Sequence, residues 1–285
     1  MAVCIVMRIQ ITESLKISIL LLSKNIFSNK IMSNYNNSMA TNRVQNIIQS
    51  YSSNPTSIPS ERHDRINWIT NIDWSDAGNR AAYINRYFLR YVIFIKSHIN
   101  NHFEVPQNST TLIFADIGCG PGTASIALLD LICENSIFPN VTRVEIELVD
   151  HKISAIKLAE RLITRFQETY LPNIALKITR NSTLLDQESP RLQIQPELIL
   201  CANMLCELTQ KIYRERLKRF FHTSPAFLFV SDCVDFDAFV TFCDSLSLTS
   251  RRHRVVENNI LIHFRYFFRE RIGSSSPPMP HGSTP

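Results

Sequence analysis

Apolar residues recur along this chain in two rhythms. From Asp76 to Asn100 they fall at steps of three and four, with Ala81, Ile84, Phe88, Tyr91, Ile95 and Ile99 on one side, which is the spacing of a helix that buries one stripe. Asp76 stands just ahead of that stripe as its N-cap, a carboxylate able to accept a free N–H of the first turn. After residue 110 the rhythm changes to short apolar runs of strand length separated by polar stretches. They are Leu112 to Ile117, VEIELVD (Val144 to Asp150), IALKITRNS (Ile174 to Ser182), PELILC (Pro196 to Cys201), AFLFVSD (Ala226 to Asp232) and NILIHFRYFF (Asn259 to Phe268). Runs of this kind, with helical segments between the early ones, predict an α/β domain with a largely parallel sheet.

The first of these strands ends in the segment that carries the chemistry. TLIFADIGCGPGTASIA (Thr111 to Ala127) places an acid, Asp116, and then Gly118, Gly120 and Gly122 at alternate positions. Glycines let the backbone turn sharply and come close to a bound group. The helix that follows, capped by Thr123 or Ser125, turns its free N–H groups and positive dipole end toward the same place. A dinucleotide fingerprint would need GxGxxG, but Thr123 stands where its last glycine belongs; a P-loop would need a Lys after the last Gly, and none follows.

The motif DIGCGPG, with the ordered strands after it, resembles the first motif of the class I S-adenosylmethionine (SAM) methyltransferases over about residues 80–272. The resemblance implies a doubly wound, mostly parallel seven-stranded sheet with an N-terminal helical extension, SAM as cofactor, and methyl transfer to an unidentified acceptor. It implies a cofactor site formed by Asp116, Gly118, Cys119, Gly120 and Gly122. Asp150 would take the ribose hydroxyls, since a carboxylate accepts two hydroxyl protons from one position. His151 would lie against the adenine ring, Asn181 and Ser182 would face its amino group, and Asn203 would stand beside the methyl group. Asp150 follows Asp116 at a longer spacing than a compact βαβ unit needs, so ENSIFPN (Glu134 to Asn140) is expected to add a loop. Elements ahead of the first strand often cover the substrate pocket in this family, which makes Trp74, Arg80, Tyr83 and Arg86 candidate substrate contacts.

The catalytic position is less sharply marked. Methyl transfer from a sulfonium needs an in-line nucleophile held close to the methyl group, and a general base only when the acceptor carries a proton. The segment Ala202 to Leu208 lacks the Asn/Asp-Pro-Pro-aromatic motif of the amino-methylating nucleic-acid enzymes and the Pro-Cys of the RNA cytosine-C5 enzymes. It is similar to the "LHEL" turn of many small-molecule and accessory methyltransferases, with Cys206 in place of His. Asn203, Glu207 and Asp232 are the candidate catalytic residues. Two other readings are carried: a non-catalytic ribosome-assembly factor on the SAM fold, and an aminopropyltransferase on the same fold.

Composition adjusts this picture only at its edges. In 285 residues with 45% hydrophobic content there is material for one large domain and an extension. A formal charge of +5 permits an RNA partner without requiring one. The seven cysteines form no CxxC pair and the histidines no ligand spacing, so no metal is expected and the thiols are expected reduced. Residues 1–60 are rich in Ser, Asn and Ile and nearly free of acids, which predicts a flexible or targeting-like segment outside the fold. The remaining divisions are a helical cap at 61–108, the SAM-binding domain at 109–272 and a Gly/Ser/Pro tail at 273–285. The longest apolar run near the start, Ile17 to Leu22, is far too short to span a bilayer. The expected location is cytoplasmic, with mitochondrial as the alternative.

Overall fold

The computed structural model describes residues 39–60, 64, 68–69, 71–102, 109–134, 138–184, 187–188, 190–202, 211–224, 226–232, 242, 246, 249–257 and 260–269. Its centre is a seven-stranded sheet in the order β3-β2-β1-β4-β5-β7-β6. The strands are β1 (Thr111–Ile117), β2 (Arg143–Val149), β3 (Ala175–Asn181), β4 (Leu198–Ala202), β5 (Phe227–Asp232), β6 (Thr249–Glu257) and β7 (Ile260–Arg269). The first five are parallel, whereas β7 enters antiparallel to β5 and pairs with β6 as a hairpin. Leu112, Phe114, Val144, Ile146, Leu198 and Leu200 are all fully buried, as expected where helices cover both faces of a parallel sheet. The chain leaves β1 toward β2 on one side and returns to β4 on the other, so the order reverses between β1 and β4. In open α/β sheets, ligands bind at the carboxyl ends of strands at such a reversal.

Helix α4 (Thr123–Cys133), which follows the glycine turn, is buried at every position from Thr123 to Ile132. Such all-round burial is possible because its sequence, TASIALLDLIC, is apolar on every side except for Thr123, Ser125 and Asp130. Helix α5 (Ile153–Tyr170) packs on α4 with an amphipathic face that includes Ala155, Ala159, Leu162 and Phe166. Helix α6 (Lys211–Thr223) lies between β4 and β5 in the chain.

The helical rhythm from Asp76 is present, with a modification. Helix α2 (Ala77–Tyr83) begins under the Asp76 cap, whose carboxylate accepts from the Asn79 N–H at 2.7 Å. It passes through one π-helical stretch, Ile84–Phe88, into α3 (Leu89–His102), which packs along α4.

The expectation that residues 1–60 lie outside the fold is corrected from Met39 onward. Helix α1 (Met39–Ile48) and the 3-10 turn Gln49–Tyr51 belong to the body of the protein. Val44 and Ile47 are buried in the same core cluster as Leu112 and Phe166. The physical reason is a narrow apolar stripe, Val44, Ile47 and Ile48, set within a polar sequence. Polar anchors reinforce it: Asn46 Nδ2 donates to the Tyr170 hydroxyl (3.1 Å) and Arg165 Nη1 to the Ser50 hydroxyl (2.7 Å).

A buried ionic cluster joins α1, α3 and α4. Lys96 donates to Asp130 and, at 2.7 Å, to Glu134. Arg43 Nε donates to Asp130 at 2.7 Å and its Nη2 to Glu134 at 3.3 Å. Asp130 is 1% exposed and Lys96 7%, so neither charge would be tolerable there without its partners.

Candidate functional site

Between Ile117 and Thr123 the backbone takes positive φ three times, at Gly118 (69°), Gly120 (49°) and Gly122 (81°). Side chains with a Cβ resist that region, so the alternating glycines are what allow strand β1 to turn directly into α4. The turn is fastened to the end of β2. The N–H groups of Gly118 and Cys119 both donate to the Val149 carbonyl, at 2.8 and 2.9 Å. The Gly120 N–H donates to the Asp150 carboxylate at 3.0 Å, and the Lys152 N–H donates to its other oxygen at 2.8 Å. Asp150 therefore stands against the glycine turn, and each of its oxygens has lone-pair capacity beyond these bonds. Burial pushes its carboxyl above the usual range, against the opposing pull of the two backbone N–H groups. His151 lies beside it, 70% exposed, with Nδ1 3.5 Å from the carboxylate.

The three glycines do different work. Among the described residues a Cβ on Gly120 would meet only the Trp74 ring, at 3.9 Å, which leaves room there for a ligand. A Cβ on Gly122 would come within 3.1 Å of Ala159 Cβ and 3.2 Å of its Cα. Gly122 thus permits the close approach of α4 to α5, which places it in the packing of the helices.

Asp116 is 1% exposed, and one of its oxygens accepts both the Ser125 N–H (3.1 Å) and the Ser125 hydroxyl (2.7 Å). It serves α4 as a remote cap. The expected capping by Thr123 or Ser125 is therefore corrected: Gly122 occupies the N-cap position without a side chain, and Asp116 supplies the acceptor from the preceding strand. Burial pushes the Asp116 carboxyl up to about 7, outweighing the two hydrogen bonds from Ser125, and the nearby charge of Asp150 adds to the rise. The Thr123 hydroxyl is buried without a hydrogen-bond partner among the described residues, a cost that a bound polar group would relieve. Cys119 is 4% exposed, and burial drives its thiol well above the ordinary value, which suits a wall residue better than a nucleophile.

On the third strand Asn181, expected to face an adenine amino group, is 4% exposed. Its Nδ2 donates to Glu147 at 2.8 Å, and its Oδ1 accepts from the Thr183 N–H at 3.2 Å. Its backbone carbonyl accepts from the Asp150 N–H at 3.2 Å, so Asn181 acts by holding Asp150 in place. Ser182, half-buried at the end of the strand, is left as the polar side chain there.

Glu147 was not singled out from the sequence. It is fully buried on β2 and accepts from the Gln193 and Ile194 N–H groups at 2.7 and 3.0 Å, tying down the connection to β4. The signal was an acid between Ile146 and Leu148 in a strand covered on both faces, a position that demands donors. Cys201 is buried in β4. Asp232 ends β5 opposite Arg265 of β7. Asn203 and Glu207 lie outside the described residues.

The helical extension reaches this site. Trp74 and Tyr83 are buried edge to face, 4.9 Å between centroids, and the Arg80 guanidinium donates to the Trp74 carbonyl at 2.9 Å. The Lys152 ammonium donates to the Ile72 carbonyl at 3.1 Å, pinning the same segment to the end of β2. Among the described residues no group of three or more His, Cys, Asp or Glu could hold a metal, and no helix is long and apolar enough to cross a membrane.

With its parallel strands, its reversal after β1 and its closing antiparallel hairpin, the sheet is the Rossmann-like methyltransferase fold. No protein-family model matches the chain, and no curated protein matches it in sequence. Among solved structures it is similar to magnesium protoporphyrin IX methyltransferase from Synechocystis, at 13% identity and a TM-score of 0.44, over 85% of this chain and 97% of that one. It is also similar to a SAM-dependent methyltransferase from Leishmania major, at 12% identity and a TM-score of 0.43, over 72% of this chain and 81% of the other. A third is a putative SAM-dependent methyltransferase from Methanococcus maripaludis, at 13% identity and a TM-score of 0.41, over 68% of this chain and 93% of the other.

Proposed function

We propose that this chain binds SAM at the carboxyl end of β1 and transfers its methyl group to an acceptor. The observation that carries the reading is the Asp150 carboxylate held against the Gly120 N–H, beside an open face over Gly120 and a buried Thr123 hydroxyl lacking a partner. Bound there, SAM supplies a methyl group on a positively charged sulfur, which needs no further activation.

The residues around it would bind and orient. Asp150 accepts the two ribose hydroxyls on its remaining lone pairs, with the exposed His151 ring beside it. The turn Gly118–Gly122 passes close beneath the cofactor because no side chain intervenes at Gly120. Trp74 closes that side and excludes water. Asn203, Glu207 and Asp232 remain the candidates on the acceptor side, where positioning is the main requirement.

Isothermal titration with SAM and with its demethylated product tests the binding step; a tritiated-methyl assay on fractionated RNA, protein and metabolites tests transfer. Micromolar binding of both, with label passing to one fraction, is the expected result. No binding by a folded protein would end the proposal, and binding without transfer to any fraction would end its catalytic half.

A further inference from the structure

Residues 52–60 run back across α2 and the π-helical stretch and line an open cleft of about 420 Å³, within the size range of small-molecule sites. Ile58, Pro59 and Ala82 form its apolar wall, and Asn85, Arg86 and Ser60 its polar one. The walls are fixed in place. The Thr56 N–H donates to the Gly78 carbonyl at 3.1 Å and its hydroxyl to Asn79 at 3.0 Å, while Asn85 Nδ2 donates to the Ser52 carbonyl at 2.9 Å. The π-helical stretch Ile84–Phe88 carries both Asn85 and Arg86; such local widenings of a helix occur often at functional sites.

Two arginines one helical face apart show what the cavity lacks. Arg80 is satisfied by the carbonyls of Trp74 and Ser75, at 2.9 and 2.6 Å. Arg86, half-buried in the cavity wall, makes no hydrogen bond or ion pair among the described residues. A guanidinium offers five N–H donors, keeps its charge at any physiological pH, and matches the paired oxygens of a carboxylate or phosphate. A preformed cavity with an apolar wall and one uncommitted guanidinium selects a ligand with both characters.

We propose that this cavity is a binding site for a small organic oxyanion, a carboxylate or phosphate carried on an apolar body, gripped by Arg86. The site stands independently of methyl transfer at the glycine turn.

Ligand-detected NMR titrations of the full chain with benzoate, phenyl phosphate and the neutral analogue benzamide test it. One or both anions should bind saturably, which also identifies the oxyanion, and benzamide should bind at least tenfold more weakly. Arg86→Met should weaken the anion at least tenfold, and Ser60→Trp, an exposed change at the rim, should block it without lowering the melting temperature. Neither change should alter the SAM titration, which separates this site from the cofactor site. If Arg86→Met fails to fold, the benzamide comparison and Ser60→Trp still decide. Benzamide binding as well as the anions, no saturable anion binding, or anion binding unmoved by Ser60→Trp would each overturn the proposal.

Discussion

Helix α4 has a buried acid near each end, each with a second acid beside it, and the two ends treat them in opposite ways. At its carboxyl end Asp130 and Glu134 face Lys96 and Arg43 in direct ion pairs. The acids lie where the helix dipole is unfavourable to them, so the cations also offset the local field. At its amino end Asp116 and Asp150 have, among the described residues, no lysine or arginine side chain bonded to them, and they are held mainly by N–H and O–H donors, with the exposed His151 ring 3.5 Å from Asp150. The first arrangement is closed, with every charge spent on a partner within the protein. The second is open, because two carboxyls with raised proton affinity are kept beside a glycine turn that leaves room for a ligand. Perturbed acids without a cationic partner gather at functional sites more often than fully paired ones do.

The comparison can be broken first at the closed end. Asp130→Ala leaves Lys96 and Arg43 to share Glu134 alone, and breaking a buried pair costs about 3–5 kcal/mol. Urea unfolding should show that loss, while the fraction still folded binds SAM with unchanged affinity. A cost under about 1 kcal/mol would mean that the cluster is not holding the helices together.

At the open end the effect should depend on pH. Asp116 has an ordinary value near 3.8 in the unfolded chain and about 7 in the folded protein. The folded state binds the proton more tightly, so its contribution to stability is fully present below about pH 4 and is lost as pH rises through 7. Between those limits the wild type should lose up to about 4 kcal/mol relative to Asp116→Asn. Parallel curves for the two proteins, measured as urea midpoints from pH 4 to pH 8, would contradict the rise.

Asp150→Asn comes next. It removes the charge that would accept two ribose hydroxyls, and hydrogen bonds to charged groups are worth about 1.5–3 kcal/mol, so SAM affinity should fall about ten- to a hundredfold by titration. An unchanged affinity in a folded protein would take Asp150 out of the site.

The smallest effects sharpen the contrast within the turn itself. Gly122→Ala should lower stability by about 1–2 kcal/mol through left-handed strain and the crowding of Ala159, with SAM affinity retained. Gly120→Ala carries the same strain but, among the described residues, meets only an ordinary contact with Trp74, so its additional effect should appear in SAM binding. The reverse assignment in thermal melts and titrations would exchange the roles given to these two glycines.

The strands and the turn could be read from the sequence because a parallel strand is buried on both faces and so announces itself as a continuous apolar run. Asp150 was legible for the same reason, being the acid that ends such a run. The partner of Asn181 could not be read, because its environment is set by Glu147 across the sheet, which no spacing along one strand reveals. β6, TSRRHRVVE, was not singled out because four of its nine residues, all ahead of its short apolar pair, are Arg or His, and it is recognised through its pairing with β7. Helix α1 was hidden by averaging: its stripe of three apolar residues lies in a stretch whose composition, taken whole, matches a solvated tail.

That helix has a consequence for how the molecule is assembled. Arg43 meets its partner 87 residues further along, Ser50 is met by Arg165 at a separation of 115, and Asn46 reaches across 124. Contacts that close loops of this length are entropically the most expensive to form early. The segment that leaves the ribosome ahead of the domain is therefore expected to be among the last to find its place, waiting until α3, α4 and α5 have been made and packed. Its docking would then mark the completion of the fold.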